Sequence, residues 1–237
     1  QKTAYEILDT MYHQGRERLH APSPIIKQMV NAGLKGRKSG RGFYTYAAQG
    51  SSEVVADGQT PKSGAAEDPG LAKIAKVGVV GSGTMATGIM EVFAKAGFDV
   101  VYVARGQDKV DGVLASIKKG QARMIDRGKL TQEAADAVTA RLTGATEREA
   151  LADVDIVVEA IAEDLAIKQE LFRDLDRICK PGAILATTTS SLPIIQCANV
   201  TSRPGDVIGM HFFNPAQVMK LVEVVSTVAT DPAITAT

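Results

Sequence analysis

A histidine and a glutamate near the end of the chain have the side-chain types that proton-transfer chemistry needs. His211 directly follows the apolar run Val207 to Met210, and Glu223 lies in the next apolar run, Leu221 to Ser226. A carboxylate in such a run needs a partner if it faces inward, and an imidazole can serve. Together they would form a general base with an orienting carboxylate. Taken singly, a core histidine and a solvent-facing glutamate are the ordinary alternatives.

A glycine-rich turn earlier in the chain has the spacing of a phosphate-binding loop. The segment Gly81-Ser82-Gly83-Thr84-Met85-Ala86 fits the pattern G-x-G-x-x-G/A and follows the β-branched run Val77 to Val80. Gly81 would permit the tight turn, Gly83 would let the backbone approach a pyrophosphate, and Ala86 would let a helix pack close to the strand. The first N–H groups of that helix would bind the phosphates. A tight turn without a ligand is the alternative.

The elements around this turn favour the ligand-binding interpretation. The turn leads into a helix that Gly97 ends, and Val100 to Val103 forms a second buried strand. The apolar face of the helix would consist of Met85, Ile89, Val92 and Phe93. Strand, glycine turn, helix and strand in this order predict a dinucleotide-binding βαβ unit.

The remaining pattern predicts an α/β domain, a Rossmann-type doubly wound and mostly parallel sheet. Helices are expected over 108–127, 131–142 and 194–198 and after residue 161, and strands over 143–146, 155–161, 183–186, 207–210 and 221–226. Ligands of such a sheet bind beyond the carboxyl ends of its strands. The polar residues at those ends are Glu163, Ser190, His211 and Asn214.

The chain before this domain has a different pattern. We expect an amphipathic helix over residues 1–20 and a second helix over Ile25 to Leu34. A basic, glycine-rich loop from Gly36 to Tyr46 would follow, with Phe43 and Tyr44 packed on the helix pair.

The composition argues against several classes of protein. The 237 residues include 27 Lys and Arg against 27 Asp and Glu, so no overall positive field recruits nucleic acid or a membrane surface. No apolar run approaches the roughly 20 residues of a membrane span, and no signal-peptide pattern opens the chain. Cys179 and Cys197 lack metal-ligand spacing. We therefore predict a cytoplasmic protein that binds no nucleic acid, membrane or metal.

Four motifs after Lys73 resemble the NAD-binding domain of 3-hydroxyacyl-CoA dehydrogenases, a family that includes 3-hydroxybutyryl-CoA dehydrogenases. They are VVGSGTMATGI, VVEAIAEDLAIKQELF, TTSSLPI and GMHFFNPAQVMKLVEVV. The N-terminal segment APSPIIKQMVNAGLKGRKSGRGFYTY resembles the end of the same family's helical substrate domain. The resemblance implies an excerpt of a tandem protein. Its parts would be the C-terminal part of a helical substrate domain over 1–46, a flexible linker over 47–72 and a dinucleotide-binding domain over 73–237.

The resemblance also implies a role for each matching residue. His211 would take the proton of a 3-hydroxyl group while C3 gives hydride to the nicotinamide, and Glu223 would orient His211. Ser190 and Asn214 would hold the substrate oxygens and the nicotinamide ribose. Arg127 matches a contact with the phosphates of coenzyme A, which carries the acyl group as a thioester. The implied cofactor contacts are Gly81, Gly83, Thr84, Met85, Ala86, Arg105, Glu163, Lys168, Ser190, Asn214 and, for an upstream module, Lys38.

Three departures from the family pattern affect these expectations. NAD-specific members end the second strand with Asp, whereas Ala104 and Arg105 stand here. A guanidinium in place of a carboxylate favours the 2′-phosphate of NADP over NAD. Thr188 replaces the usual Asn near Ser190. The family's helical domain would follow Thr237, and the expected homodimer would form through that missing part.

Two alternatives to an active dehydrogenase for 3-hydroxyacyl-CoA remain. A non-catalytic dinucleotide-binding module of a tandem protein has mild support from Ala104 and Thr188, whereas the intact His211, Glu223, Ser190 and Asn214 argue against it. A dehydrogenase for other substrates, such as sugar acids, can share the fold, but the HFFNP and LVEVV segments argue against it.

Overall fold

The computed structural model describes residues 2–55 and 72–237. The chain divides into two compact units, Gln1–Ala65 and Ala66–Thr237. In the second unit lie the sheet and the residues that the sequence places at its strand ends.

The first unit contains two helices and a short hairpin. Its elements are helices α1 (Lys2–Gly15) and α2 (Pro24–Asn31), 3-10 helices at Arg18–His20 and Arg37–Ser39, and strands β1 (Thr45–Tyr46) and β2 (Val54–Val55). The two strands pair antiparallel, so the first part of the predicted linker belongs to a hairpin. The rest of the predicted flexible linker, as far as residue 71, lies outside the described residues.

Two expectations for this unit are wrong. The helix expected over 1–20 ends at Gly15, because Arg16 adopts a left-handed conformation with φ of 56°. Phe43 and Tyr44 are 57% and 54% exposed, so they are not buried against the helix pair. Helix α2 ends before Gly33, whose φ of 79° suits a glycine after a helix, as expected.

The second unit is a seven-stranded sheet with helices on both faces. Its strands are β3 (Lys76–Val80), β4 (Asp99–Val103), β5 (Leu142–Ala145), β6 (Ile156–Glu159), β7 (Ile184–Thr187), β8 (Val207–Phe212) and β9 (Val222–Val225). Its helices are α3 (Thr84–Lys95), α4 (Gln107–Asp126), α5 (Gln132–Ala140), α6 (Leu165–Ile178), α7 (Ile194–Ala198) and α8 (Pro232–Ala236).

The strand order β5-β4-β3-β6-β7-β8-β9 confirms the predicted Rossmann-type fold. Every neighbouring pair is parallel except β8 and β9. The chain winds from β3 outward to β5 and then returns to β6 on the other side of β3. The switch point between β3 and β6 is where ligands bind in sheets of this kind.

Alternating strand residues build a core on each face of the sheet. One face packs against α3, α4 and α5 and the other against α6 and α7. The predicted apolar face of α3 is rotated in the structure: Ile89 is buried, but Met85, Val92 and Phe93 are only partly so. The small Ala86 is fully buried and lets the helix lie close to the sheet, so the buried positions are Ala86, Gly88, Ile89, Met90 and Ala94.

No helix in the described part of the chain combines the length and the apolar character that crossing a membrane requires.

Candidate active site

His211 and Glu223 meet across the antiparallel strand pair β8–β9. The register places the two residues directly opposite each other, where side chains on one face are neighbours. His211 Nδ1 and Glu223 Oε2 are 2.8 Å apart. The imidazole is 25% exposed, and it forms an edge-to-face pair with the ring of Phe213 at 4.9 Å between centroids. The predicted pairing of histidine and glutamate is therefore present in the geometry.

Ser190 lies on the opposite side of the imidazole. Its Oγ is 3.2 Å from His211 Nε2. Because a carboxylate accepts hydrogen bonds, we assign the ring proton to Nδ1, which donates to Glu223. Nε2 is then a proton acceptor directed at Ser190 Oγ. Asn214 is exposed three residues after His211, in the loop that follows β8.

Glu163 fixes the turn that carries Ser190. Its Oε1 accepts hydrogen bonds from Thr189 Oγ1 at 2.5 Å and from the Ser190 amide at 3.0 Å. Burial acts to raise the pKa of Glu163, but these hydrogen bonds and the charge of Lys168 together hold the pKa below its ordinary value. Glu163 is therefore an ionised acceptor at neutral pH.

A buried polar cluster lies beneath this turn, and its glutamate was not singled out from the sequence. Lys168 Nζ donates to Glu159 Oε1 at 2.5 Å, and Thr187 Oγ1 donates to Glu159 Oε2 at 2.7 Å. All three residues have no exposed surface. The available signal was a carboxylate inside the apolar strand run DIVVEAI, nine residues before Lys168.

The glycine turn has the shape that a dinucleotide requires. Gly81 has a φ of 138°, and a Cβ there would collide with the Ala160 carbonyl oxygen. A Cβ on Gly83 would meet no protein atom within 4 Å, so the protein's own packing does not demand this glycine. The open space beside Gly83 adjoins the exposed start of α3 at Thr84, where helix N–H groups lack intrahelical partners. These residues therefore fit a pyrophosphate.

Arg105 stands at the carboxyl end of β4, next to the strand that leads into the glycine turn. It is exposed, whereas Ala104 before it is buried. Arg105 lines a cleft of about 510 Å³ together with Arg148, whose guanidinium pairs with Asp174. Arg177 lines the same cleft, as do the carboxylates of Glu147, Glu149 and Asp174.

Two predicted site residues lie apart from this cluster. Arg127 follows the last residue of α4, a 20-residue helix and thus about 30 Å long, which begins near Arg105. Lys38 belongs to the first unit, where it is exposed and lines a cleft of about 360 Å³ with Phe43 and Tyr44.

The two cysteines are free, buried thiols. Burial raises the pKa of Cys179 and of Cys197 to about 11. Within the described residues, no three His, Cys, Asp or Glu side chains are grouped to hold a metal ion.

Known proteins share both parts of this chain. Residues 76–237 match the family described as 3-hydroxyacyl-CoA dehydrogenase, NAD binding domain, and residues 1–46 match the family described as its C-terminal domain. A 3-hydroxybutyryl-CoA dehydrogenase of Clostridioides difficile is 44% identical over 151 residues, 64% of this chain and 54% of that protein. A probable 3-hydroxybutyryl-CoA dehydrogenase of Bacillus subtilis is 46% identical over 158 residues, 67% of this chain and 55% of that protein.

A solved structure agrees with the sequence relatives. The crystal structure of 3-hydroxybutyryl-CoA dehydrogenase from Escherichia coli K12 superposes with a TM-score of 0.68 at 40% identity, covering 69% of this chain and 35% of that one. The chain spans about half the length of the curated relatives it matches. Because the match to the NAD-binding domain covers residues 76–237, well over half of the sequence, the chain belongs to the 3-hydroxyacyl-CoA dehydrogenase family.

Proposed function

We propose that this chain carries the hydride-transfer machinery of a 3-hydroxyacyl-CoA dehydrogenase. The reaction would exchange a hydride between a nicotinamide cofactor and C3 of a 3-hydroxyacyl-CoA or 3-oxoacyl-CoA. One observation carries the proposal: His211 is oriented by Glu223 and presents Nε2 toward Ser190, at the same edge of the sheet as the glycine turn. The names of the relatives, which are dehydrogenases of 3-hydroxybutyryl-CoA, support an acyl-CoA thioester as substrate.

The proposed chemistry divides proton and hydride between two acceptors. A bound nicotinamide supplies the hydride acceptor for oxidation at C3. His211 Nε2 takes the proton of the 3-hydroxyl group as its C–O bond becomes a carbonyl, and Glu223 stabilises the imidazolium that results. Ser190 and Asn214 would hold the substrate oxygens and the nicotinamide ribose. In the reducing direction His211 returns the proton to the oxygen.

Three further contacts complete the proposed ligand sites. The ionised Glu163 would accept hydrogen bonds from a cofactor hydroxyl group. Arg105 would bind the 2′-phosphate of NADP, so we propose NADP as the preferred cofactor. Arg127, directly after the last residue of α4, would contact the phosphates of coenzyme A.

We also propose a tandem arrangement. The match to a C-terminal domain stands ahead of the match to an NAD-binding domain, the reverse of their order within one copy. Residues 1–46 would then end one dehydrogenase module, with Lys38 contacting that module's cofactor, and residues 73–237 would begin another after a linker. A cytoplasmic homodimer, formed through the second module's helical domain, belongs to the same proposal.

Turnover tests the proposed function. We would follow the acetoacetyl-CoA-dependent loss of NADPH and NADH absorbance, using the chain alone and the chain joined at Thr237 to a C-terminal domain of this family. Turnover that His211→Ala abolishes would support the dehydrogenase. Dinucleotide binding without turnover in either form would support the non-catalytic binding module instead.

A further inference from the structure

We propose that the buried Glu159–Lys168 ion pair is the positioning device of the site, fixing Glu163 and the Thr189–Ser190 turn so that Ser190 meets His211. The inference rests on the proposed function only in calling His211 catalytic. Glu159 is not proposed to touch substrate or cofactor.

Glu159 uses its carboxylate entirely inside the protein. Oε1 accepts from Lys168 Nζ at 2.5 Å and from the Ile161 amide at 2.8 Å, while Oε2 accepts from Thr187 Oγ1 at 2.7 Å. The carboxylate thus links three elements: the end of β6, the end of β7 and the first turn of α6. With 0% of its surface exposed, it has no face for a ligand.

Lys168 transmits this anchoring outward. Its side chain is 1% exposed, and its Nζ lies 3.4 Å from Glu163 Oε2 in addition to its bond with Glu159. An ammonium held by a buried carboxylate cannot follow Glu163 if that side chain rotates. The charge therefore favours one orientation of Glu163, in which the other oxygen faces the turn.

Glu163 Oε1, the oxygen that faces away from Lys168, fixes the Thr189–Ser190 turn. Glu163 Oε1 accepts hydrogen bonds from Thr189 Oγ1 and from the Ser190 amide, so these bonds fix the backbone of Ser190. Ser190 Oγ in turn lies 3.2 Å from His211 Nε2. An unbroken series of hydrogen bonds and ion pairs thus runs from the core beneath α6 to the imidazole.

A direct cofactor contact is the other role expected of Lys168, because the family resemblance implies one. In this structure the ammonium is enclosed and shared by two carboxylates, Glu159 and Glu163. The positioning of Glu163 is proposed in addition to that cofactor contact.

Nuclear magnetic resonance on the ligand-free chain tests this inference. The sequence has only three histidines, and His211→Gln identifies the signals of that ring. We would compare Lys168→Met and the double variant Glu159→Gln/Lys168→Met with wild type. In both we expect shifted His211 ring ¹⁵N signals and about tenfold faster hydrogen exchange at the Ser190 amide, as a hydrogen bond to a charged acceptor is weakened.

Lys180→Met is the matched control. Lys180 pairs with Asp155 just before the start of the same strand, β6, and its loss should leave His211 and Ser190 unchanged. The double variant guards against misfolding, because it leaves no unpaired buried charge. Glu163→Gln, at an exposed position, weakens the hydrogen bonds from Thr189 and Ser190 to this side chain, and it can be measured even if the buried variants do not fold. It should shift the His211 ring signals and speed exchange at the Ser190 amide.

Unchanged His211 signals and unchanged Ser190 exchange in a folded double variant, or in Glu163→Gln, would overturn the proposal. Because no substrate or cofactor is present, absence of turnover would refute the proposed function without affecting this result.

Discussion

At the scale of the residue, His211 owes its orientation to a neighbouring strand. Its partner Glu223 is opposite in the β8–β9 register, so the backbone of two strands sets the 2.8 Å contact. The sequence could predict that the two residues pair, since both lie in adjacent apolar runs. It could not supply the contact of Ser190 with Nε2, because that turn is brought in by β7, a separate parallel strand.

Substitutions of the pair should separate chemistry from binding. We expect His211→Gln to lower kcat by 10²–10⁴-fold, about the range of general acid–base catalysis, and Glu223→Gln to lower it about tenfold. The glutamine in place of Glu223 keeps a hydrogen bond to Nδ1 but no charge to stabilise the imidazolium. Steady-state kinetics and dinucleotide titrations of the chain joined at Thr237 to a C-terminal domain of this family check this. A loss of binding that parallels the loss of kcat would contradict it.

Arg105 should decide the cofactor. We expect Arg105→Asp to weaken NADPH binding by about tenfold or more, because a charge-assisted contact is replaced by repulsion, and to leave NADH binding equal or tighter. Fluorescence titration of both cofactors gives the ratio. Arg123→Asp, with the same charge change on the exposed face of α4, should alter neither affinity. If the wild-type chain binds NADH more tightly than NADPH, and Arg105→Asp does not change this, then Arg105 does not determine the cofactor preference.

At the scale of the element, the glycine turn contains one glycine that the fold requires, Gly81, and one that we expect a ligand to require, Gly83. Gly81→Ala should destabilise the second unit by about 2 kcal/mol or more, because its Cβ would collide with the Ala160 carbonyl oxygen at a positive φ. Gly83→Ala should cost less, about 0.5–1 kcal/mol, because alanine is a poorer N-cap than glycine. It should nevertheless weaken dinucleotide binding by tenfold or more, by filling the phosphate space.

Thermal unfolding and dinucleotide titration of both variants measure the contrast. Each variant serves as the control for the other, since both replace glycine by alanine within one turn. If a folded Gly83→Ala protein binds the dinucleotide as tightly as wild type, the space beside Gly83 does not hold the phosphates.

The stability of the second unit should depend on pH in the acidic range, because of a carboxylate at the amino end of the sheet. Asp155 accepts from the Ala75 and Lys76 amides at 2.7 and 2.8 Å and from Lys180 Nζ at 2.6 Å. Burial alone would raise the pKa of Asp155, but these partners lower it from 3.8 to about 2. A carboxyl group whose folded pKa is depressed stabilises the fold above its unfolded pKa.

The contribution of Asp155 should therefore be complete above about pH 5 and disappear as the pH falls toward 2. Allowing for solvent screening, we expect Asp155→Asn to cost about 1 kcal/mol at pH 7. The difference from wild type should shrink steadily below pH 4 in matched thermal melts. A difference that stays constant down to pH 2 would mean that the carboxylate charge contributes nothing.

At the scale of the whole molecule, the alternation of apolar strands and amphipathic helices was enough to predict the sheet. Local signals such as the glycine turn and the short helix Ile194–Ala198 appear where expected. Contacts between distant segments were harder to predict. A sequence pattern indicates on which face of an element a side chain lies, but not which residue it contacts. Glu159 shows this limit: its meaning depends on Lys168 and Thr187, which only the packed sheet brings to it.

The two units differ in how much apolar surface they bury. Every buried apolar side chain among the described residues lies in the second unit, and the first unit contributes only partly buried ones. Most of the stability of a helix in a protein comes from burying its apolar face, and short helices are marginal without it. We therefore expect α1 and α2 to open far more readily than the sheet.

Hydrogen exchange followed by mass spectrometry measures this difference. Peptides from residues 3–55 should exchange within seconds, while those from β3, β6 and β7 should be at least about 10³-fold slower, because they open only with the core. Wild-type chain and the Gly81→Ala variant form a useful pair, since the variant should speed exchange in the sheet and leave the first unit unchanged. Protection of α1 and α2 equal to that of β3 would show that burial outside the described contacts stabilises them.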